Sequence, residues 1–120
     1  GDIVLRQLSK MLKQNLRATD VAGRYGGDEF CVILPDLPLS SAAVAMDALR
    51  DRFATLGYEQ TPALKVSLSI GLAAFNARHA DATLWLNDAD QALYEAKTTG
   101  RNRVICCSND RPQHELLDSV

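Results

Sequence analysis

Two adjacent glycines, Gly26 and Gly27, stand between two strand-like runs, and no other feature constrains the fold of this chain as strongly. Residues 20–25 precede them and residues 28–34 follow. The run Phe30-Cys31-Val32-Ile33-Leu34 has the aromatic and β-branched character of a buried strand. A two-residue primed turn needs positive φ at its centre, which glycine supplies without a steric penalty, so the stretch reads as a β-hairpin. Pro35 and Pro38 close its second strand.

Elements on either side of the hairpin follow from periodicity. Leu5, Leu8, Leu12 and Leu16 recur near helical spacing with Met11 beside them, while Lys10, Lys13, Gln14 and Arg17 take the other face, which predicts an amphipathic helix over 3–16. After the hairpin, Ala42, Ala45, Met46, Leu49, Phe53 and Leu56 predict a second helix, capped by Ser40 or Ser41 and stopped by Gly57. Residues 64–75 read as a strand region, with Val66, Leu68 and Ile70 alternating with Ser67 and Ser69 before Gly71 interrupts. A third helix is expected from about Thr83 to Thr98, with Leu86, Ala89, Leu93 and Ala96 on one stripe and Gly100 at its end. Residues 103–107 form a last strand. The order α-β-β-α-β-α-β describes an α/β sandwich, one mixed sheet with helices packed on it.

At 120 residues the chain is one domain, read as residues 1–107 followed by a polar tail at 108–120. Thirteen Lys and Arg against fifteen Asp and Glu give a net charge of −2, which excludes nucleic-acid or membrane-surface binding through bulk positive charge. The longest apolar runs, 31–34 and 42–46, are far too short to cross a bilayer, and no signal peptide is legible. Cys31, Cys106 and Cys107 show no metal-ligand spacing, and His79 and His114 lie apart from them. A cytoplasmic setting is expected.

Chemistry concentrates in Gly26-Gly27-Asp28-Glu29-Phe30. Paired glycines let phosphates or ribose approach the backbone, and Asp28 and Glu29 place carboxylates just after the turn at the rim of the sheet. A hard cation such as Mg²⁺ takes one or two carboxylates plus the phosphates of its substrate. Five residues alone also fit a plain hairpin followed by two solvated acids.

The longer stretch Arg24-Tyr25-Gly26-Gly27-Asp28-Glu29-Phe30, with Ile33-Leu34-Pro35 after it, closely resembles the signature hairpin of the GGDEF family, the diguanylate cyclases. Residues 66–73 are similar to the family's Ser-x-Gly strand. Residues 89–97, then Gly100-Arg101-Asn102-Arg103-Val104, are similar to its closing helix and strand, and Gly1-Asp2 before Val4-Leu5 matches a Gly-Asp that opens a family helix. The resemblance spans roughly residues 1–106.

The resemblance implies a nucleotidyl-cyclase-like fold and an enzyme that condenses two GTP into cyclic di-GMP with release of two pyrophosphates. It implies Mg²⁺ or Mn²⁺ as cofactor, and a homodimer in which each subunit holds one GTP. Asp28 matches the motif acid that binds the metal and is assigned as base, and Glu29 matches its neighbour in the catalytic and metal site. Metal binding is the firmer role for Asp28, because a carboxylate holding a metal is a weak base. Gly26 and Gly27 match the turn along the nucleotide, Asp2 the carboxylate that reads guanine, and Lys97 and Arg101 the basic pair that neutralises the triphosphate. A solvated last helical turn would also carry two such basic residues.

Arg17-Ala18-Thr19-Asp20 is similar to the family's Arg-x-x-Asp site, which binds cyclic di-GMP as inhibitor. A planar guanidinium grips phosphate or guanine, and a carboxylate accepts from guanine's amino edge. A second Arg that often joins this site in the family falls here at Ala48, with Arg50 two residues on and on another face of the helix. The family domain also begins with a strand and helix before its Gly-Asp, and that strand carries a metal-binding Asp. These 120 residues lack both and by themselves are expected to be inactive. Two alternatives to a cyclase are a catalytically incompetent module that senses cyclic di-GMP or GTP, and a purely structural dimerisation domain. No nucleic acid and no membrane contact by this domain are expected.

Overall fold

A computed structural model of the chain describes residues 2–26, 29–60, 66–77 and 79–107. The order is α1 (Asp2–Asn15), β1 (Val21–Gly26), β2 (Glu29–Ile33), α2 (Leu39–Gln60), β3 (Ile70–Leu72), α3 (Ala82–Thr98) and β4 (Val104–Cys106). The expected succession of helices and strands is present. The polar tail at 108–120 lies outside the described residues, as do Gly27 and Asp28.

The core grows from the two helical stripes. Leu8, Met11 and Leu12 of α1 meet Met46, Leu49 and Phe53 of α2, and Phe53 is the most deeply enclosed large side chain, 1% exposed. Burying a ring of that size is worth about 1.5–3 kcal/mol. Polar bonds fix the far end of the pair: Asn15 Nδ2 donates to the Met11 carbonyl at 2.7 Å, and Arg52 Nη1 donates to Asn15 Oδ1 at 2.7 Å. Phe30 and Val32 of β2 and Ile70 and Leu72 of β3 pack against this cluster.

Strand alternation then places α3. Ile70 and Leu72 face the α1–α2 cluster, so Gly71 between them faces the opposite side, where α3 crosses. A Cβ on Gly71 would run into the Ala89 carbonyl oxygen and the Leu93 backbone nitrogen. The absence of a side chain lets the helix backbone lie directly on the strand, and Ala92 and Ala96 are buried at this junction. The layers are therefore helix, sheet, helix.

Pairing is antiparallel between β1 and β2 and parallel between β3 and β4, in two two-stranded ladders. The mixture of directions is the expected one, divided between two ladders among the described residues. Among the described residues of the 64–75 region, strand structure is confined to Ile70–Leu72, the residues that β4 pairs; residues 66–69 are not in a strand, and 61–65 lie outside the described residues.

Two boundaries differ from the sequence reading. Gly57 does not stop α2, which runs on to Gln60. A glycine inside a helix costs about 1 kcal/mol relative to alanine, an amount that a helix of this length tolerates. At its start, α2 begins at Leu39, and the Ala42 N–H bonds the Pro38 carbonyl at 2.9 Å, one turn ahead of a Ser41 cap. The cap of α3 is Asp81, whose carboxylate accepts from the Leu84 N–H at 3.1 Å. His79, just upstream, is buried. Its Nδ1 accepts from the Asn76 N–H at 3.0 Å, so Nε2 carries the proton and donates to Asp88 at 2.6 Å.

Candidate functional site

The hairpin register is the first determinant of the site. Gly26 pairs with Glu29, and Arg24 with Phe30, so Tyr25 is an extra residue bulged out of β1. The expectation that Gly26 and Gly27 together form the turn is corrected at Gly26, which is a strand residue paired with Glu29; Gly27 lies outside the described residues. Glu29 is the first residue of β2.

Between the β2 and β3 edges lies a cavity of about 320 Å³. Its floor is apolar, from residues such as Leu8, Phe30, Met46 and Ile70. Its polar lining includes Glu29, Asp90, Lys97 and Arg101. Residues from the hairpin and from the end of α3, 68 positions apart, thus share one cavity. Lys97 Nζ stands 3.5 Å from Glu29 Oε1, with both side chains more than a third exposed. That is an ion pair and not a tight hydrogen bond, worth at most about 1 kcal/mol. A charge-assisted hydrogen bond from an ammonium to a phosphate oxygen is worth about 1.5–3 kcal/mol, more than this ion pair.

Arg101 is held by the way α3 ends. Thr99 caps the helix, Gly100 follows with φ of 134°, and the Arg101 N–H bonds back to the Ala96 carbonyl at 2.8 Å. This is a Schellman-type ending, with glycine at the position that needs positive φ. Of the remaining residues singled out in the sequence, Asp2 opens α1, and its side chain lies outside the described part of the molecule, as do Gly27 and Asp28.

Arg17 and Asp20 come together elsewhere, in the loop between α1 and β1 on the rim of a separate, open groove. Arg17 Nη2 and Nε reach Asp20 Oδ1 at 2.7 and 3.0 Å, and the Arg17 N–H bonds Asp20 Oδ2 at 2.7 Å. Arg17 Nη2 also donates to the Pro35 carbonyl at 2.7 Å. The hydrogen bonds from Arg17 hold the Asp20 carboxyl below its usual pKa, and the same pairing raises that of Arg17. The Asp20 side chain is 3% exposed and that of Arg17 45%, so the guanidinium presents an open face while the carboxylate is tucked beneath it.

Arg50 does not approach this groove's rim. It donates through Nη1 to Asn102 Oδ1 at 2.8 Å, in the turn between α3 and β4. The sequence reading missed this contact, as it missed Asp90. A Gly-Arg-Asn run after a helix does signal left-handed backbone. It does not say which distant side chain will hold it.

Among the described residues, no three His, Cys, Asp or Glu side chains cluster as a metal site. The Glu29 carboxylate on the hairpin side of the cavity, with Asp28 next to it in sequence, suits a hard cation that takes the rest of its shell from substrate phosphates and water. No described helix is long and apolar enough to cross a membrane.

Comparison with known proteins agrees with this geometry. The family profile described as "Diguanylate cyclase, GGDEF domain" matches residues 1–103. The probable diguanylate cyclase DgcC of Escherichia coli is 42% identical over 104 residues, which cover 87% of this chain and 28% of that protein. Diguanylate cyclase A of Treponema denticola is 36% identical over 115 residues, 94% of this chain and 31% of its own length. The chain thus spans about three-tenths of the curated relatives it matches. Among solved structures, the active GGEEF domain of a diguanylate cyclase from Vibrio cholerae superposes with a TM-score of 0.81 at 30% identity, over 90% of this chain and 69% of that one. The coiled-coil and GGDEF domain of DgcB from Caulobacter crescentus, in complex with c-di-GMP, gives 0.78 at 28% identity, over 88% and 56%. A matching profile over most of the chain, with relatives and folds to the same effect, establishes that this chain belongs to the GGDEF family of diguanylate cyclase domains.

Proposed function

We propose that this domain, residues 1–107, holds one GTP in the cavity between β2 and β3 and joins it to a second GTP to make cyclic di-GMP. The observation that carries this reading is the meeting of Glu29, Lys97 and Arg101 around one cavity beside the signature hairpin. Lys97 and Arg101 neutralise the triphosphate, and Lys97 leaves its weak pairing with Glu29 to do so. Gly26 and Gly27 let the nucleotide lie against the hairpin backbone. Asp2 accepts hydrogen bonds from guanine's adjacent N–H donors.

The reaction is nucleotidyl transfer by positioning and charge neutralisation. The 3′-oxygen of one GTP attacks the α-phosphorus of the other, the bond to the bridging oxygen breaks, and pyrophosphate leaves. The attacking hydroxyl's proton passes to solvent or a nearby carboxylate. A second attack in the opposite sense closes the ring, so two domains must face each other, one GTP in each. Asp28 and Glu29 would hold Mg²⁺ or Mn²⁺, which polarises the α-phosphate and acidifies the attacking hydroxyl when bound. Arg17 and Asp20 form the site at which the product binds and inhibits. A cytoplasmic setting, where GTP is available, suits this chemistry.

Incubating the whole protein with GTP and Mg²⁺, and identifying nucleotides by mass spectrometry, tests the reading. Cyclic di-GMP from the natural protein and none from Asp28→Ala supports it. A protein that binds cyclic di-GMP through Arg17 and never consumes GTP is instead a sensing module.

A further inference from the structure

The turn that carries Arg101 is unusual in its backbone. Gly100, Arg101 and Asn102 all have positive φ, at 134°, 62° and 47°. Glycine adopts such angles freely, whereas residues with a Cβ persist there only when their surroundings hold them. The Schellman bond from the Arg101 N–H to Ala96 fixes the helix side of the turn. It does not fix Asn102.

Asn102 is held from two other elements. Its N–H donates to Ser69 Oγ at 3.3 Å, just ahead of β3, and its Oδ1 accepts from Arg50 Nη1 at 2.8 Å. Arg50 comes from α2, 52 positions earlier, on the face of the sheet opposite α3. Its side chain is only 17% exposed, and its Nε is bonded to Asp47 Oδ1 at 2.8 Å, which sets the direction of the guanidinium. One plane of donors therefore spans Asp47 on one side and Asn102 on the other, an arrangement a guanidinium fork makes and an ammonium does not.

We propose that Arg50 is a positioning residue for the triphosphate site. By clamping Asn102 it keeps the turn in its left-handed form, and so keeps Arg101 at the cavity rim beside Lys97. Arg50 itself touches no nucleotide. This inference rests on reading the cavity as the GTP site.

The test uses the whole protein and two readouts. One is the Kd for 3′-deoxy-GTP, which lacks the attacking hydroxyl and so binds without reacting. The other is the KM and kcat for GTP. Arg50→Ala is expected to raise Kd and KM about tenfold, with the larger part of the loss in KM, as a displaced binding group would. Asn102→Gly, which accepts the same backbone angles but removes the clamped oxygen, should do the same, and it carries the test if Arg50→Ala fails to fold. Arg50→Lys should not restore affinity. The deciding comparison is Arg50→Ala combined with Arg101→Ala: the double variant should bind no worse than Arg101→Ala alone, because Arg50 acts through Arg101. An unchanged Kd in both Arg50→Ala and Asn102→Gly overturns the proposal, and so does full additivity in the double variant. A protein that binds 3′-deoxy-GTP but makes no cyclic product overturns the cyclase reading instead, while the Kd series still decides the role of Arg50. A protein that does not bind the nucleotide overturns both.

Discussion

Replacing Gly71 by alanine tests the packing that positions the nucleotide site. The new Cβ would meet three backbone atoms of α3, the Ala89 carbonyl oxygen and the Leu93 nitrogen and Cα. None of them can swing aside as a side chain can, so α3 must withdraw from β3 by about 1 Å to regain ordinary contact distances. That withdrawal opens the junction where Ala92 and Ala96 are buried, and overpacking of this kind costs about 1–3 kcal/mol. For a domain of this size the loss corresponds to a fall in Tm of roughly 5–20 °C. Because α3 also carries Asp90 and Lys97, and leads into Arg101, affinity for 3′-deoxy-GTP should fall along with stability. Gly23 supplies the internal control, since a Cβ there meets nothing within 4 Å. Gly23→Ala should leave Tm unchanged or raise it slightly, by the effect of a stiffer unfolded chain. Thermal unfolding of the two variants and the natural protein, followed by circular dichroism, decides the matter. A Gly71→Ala variant that melts with the natural protein would refute the account of how α3 sits on β3.

Asp2→Ala should weaken GTP binding and narrow the preference over ATP, which a hydrogen-bonded base contact can set at up to roughly 10⁴-fold; competition binding with both nucleotides measures it, and an unchanged preference places guanine recognition elsewhere. Arg17→Ala should relieve inhibition by cyclic di-GMP without lowering the initial rate, because its groove is separate from the cavity; progress curves with and without added product read this, and unchanged inhibition removes Arg17 from the product site. The Asp20 carboxyl should titrate below its ordinary value of 3.8, since Arg17 favours its charged form. Its contribution to folding is then present above about pH 4 and lost as pH falls through its lowered native pKa; carboxyl-detected NMR of labelled protein would show this, and a midpoint at or above 3.8 would contradict the pairing.

Much of this architecture is legible in the residues because the local signals are strong. Of the stripe marked by periodicity, Leu8 and Leu12 in α1 and Ala42, Met46, Leu49 and Phe53 in α2 are buried, whereas Leu5 and Leu16 are half-buried and Ala45 is exposed. Arg17 and Asp20, three apart around a turn, meet as their spacing suggests. The misread features have different causes, some local and some set by partners distant in sequence. Helix α2 passes Gly57 because a long helix tolerates one glycine. Strand β3 is short because only Ile70–Leu72 find β4. Hairpin register depends on a bulge at Tyr25, and nothing in Gly26-Gly27 alone reveals that Gly26 pairs with Glu29. Glu29 and Lys97 could be named as site residues by resemblance, but their meeting across 68 positions is a property of the fold. The Arg50–Asn102 contact had no local signal, since Asn102 lies in another layer's turn.

The central claim is that the hairpin and the end of α3 hold the triphosphate of one GTP between them. A crystal structure of the whole protein with 3′-deoxy-GTP and Mg²⁺ tests it most directly. The account predicts the triphosphate in the cavity between β2 and β3, with Lys97 Nζ and the Arg101 guanidinium within hydrogen-bonding distance of phosphate oxygens and Lys97 drawn away from Glu29. A nucleotide bound in the Arg17–Asp20 groove, with Lys97 still paired to Glu29 and the cavity empty, would contradict it.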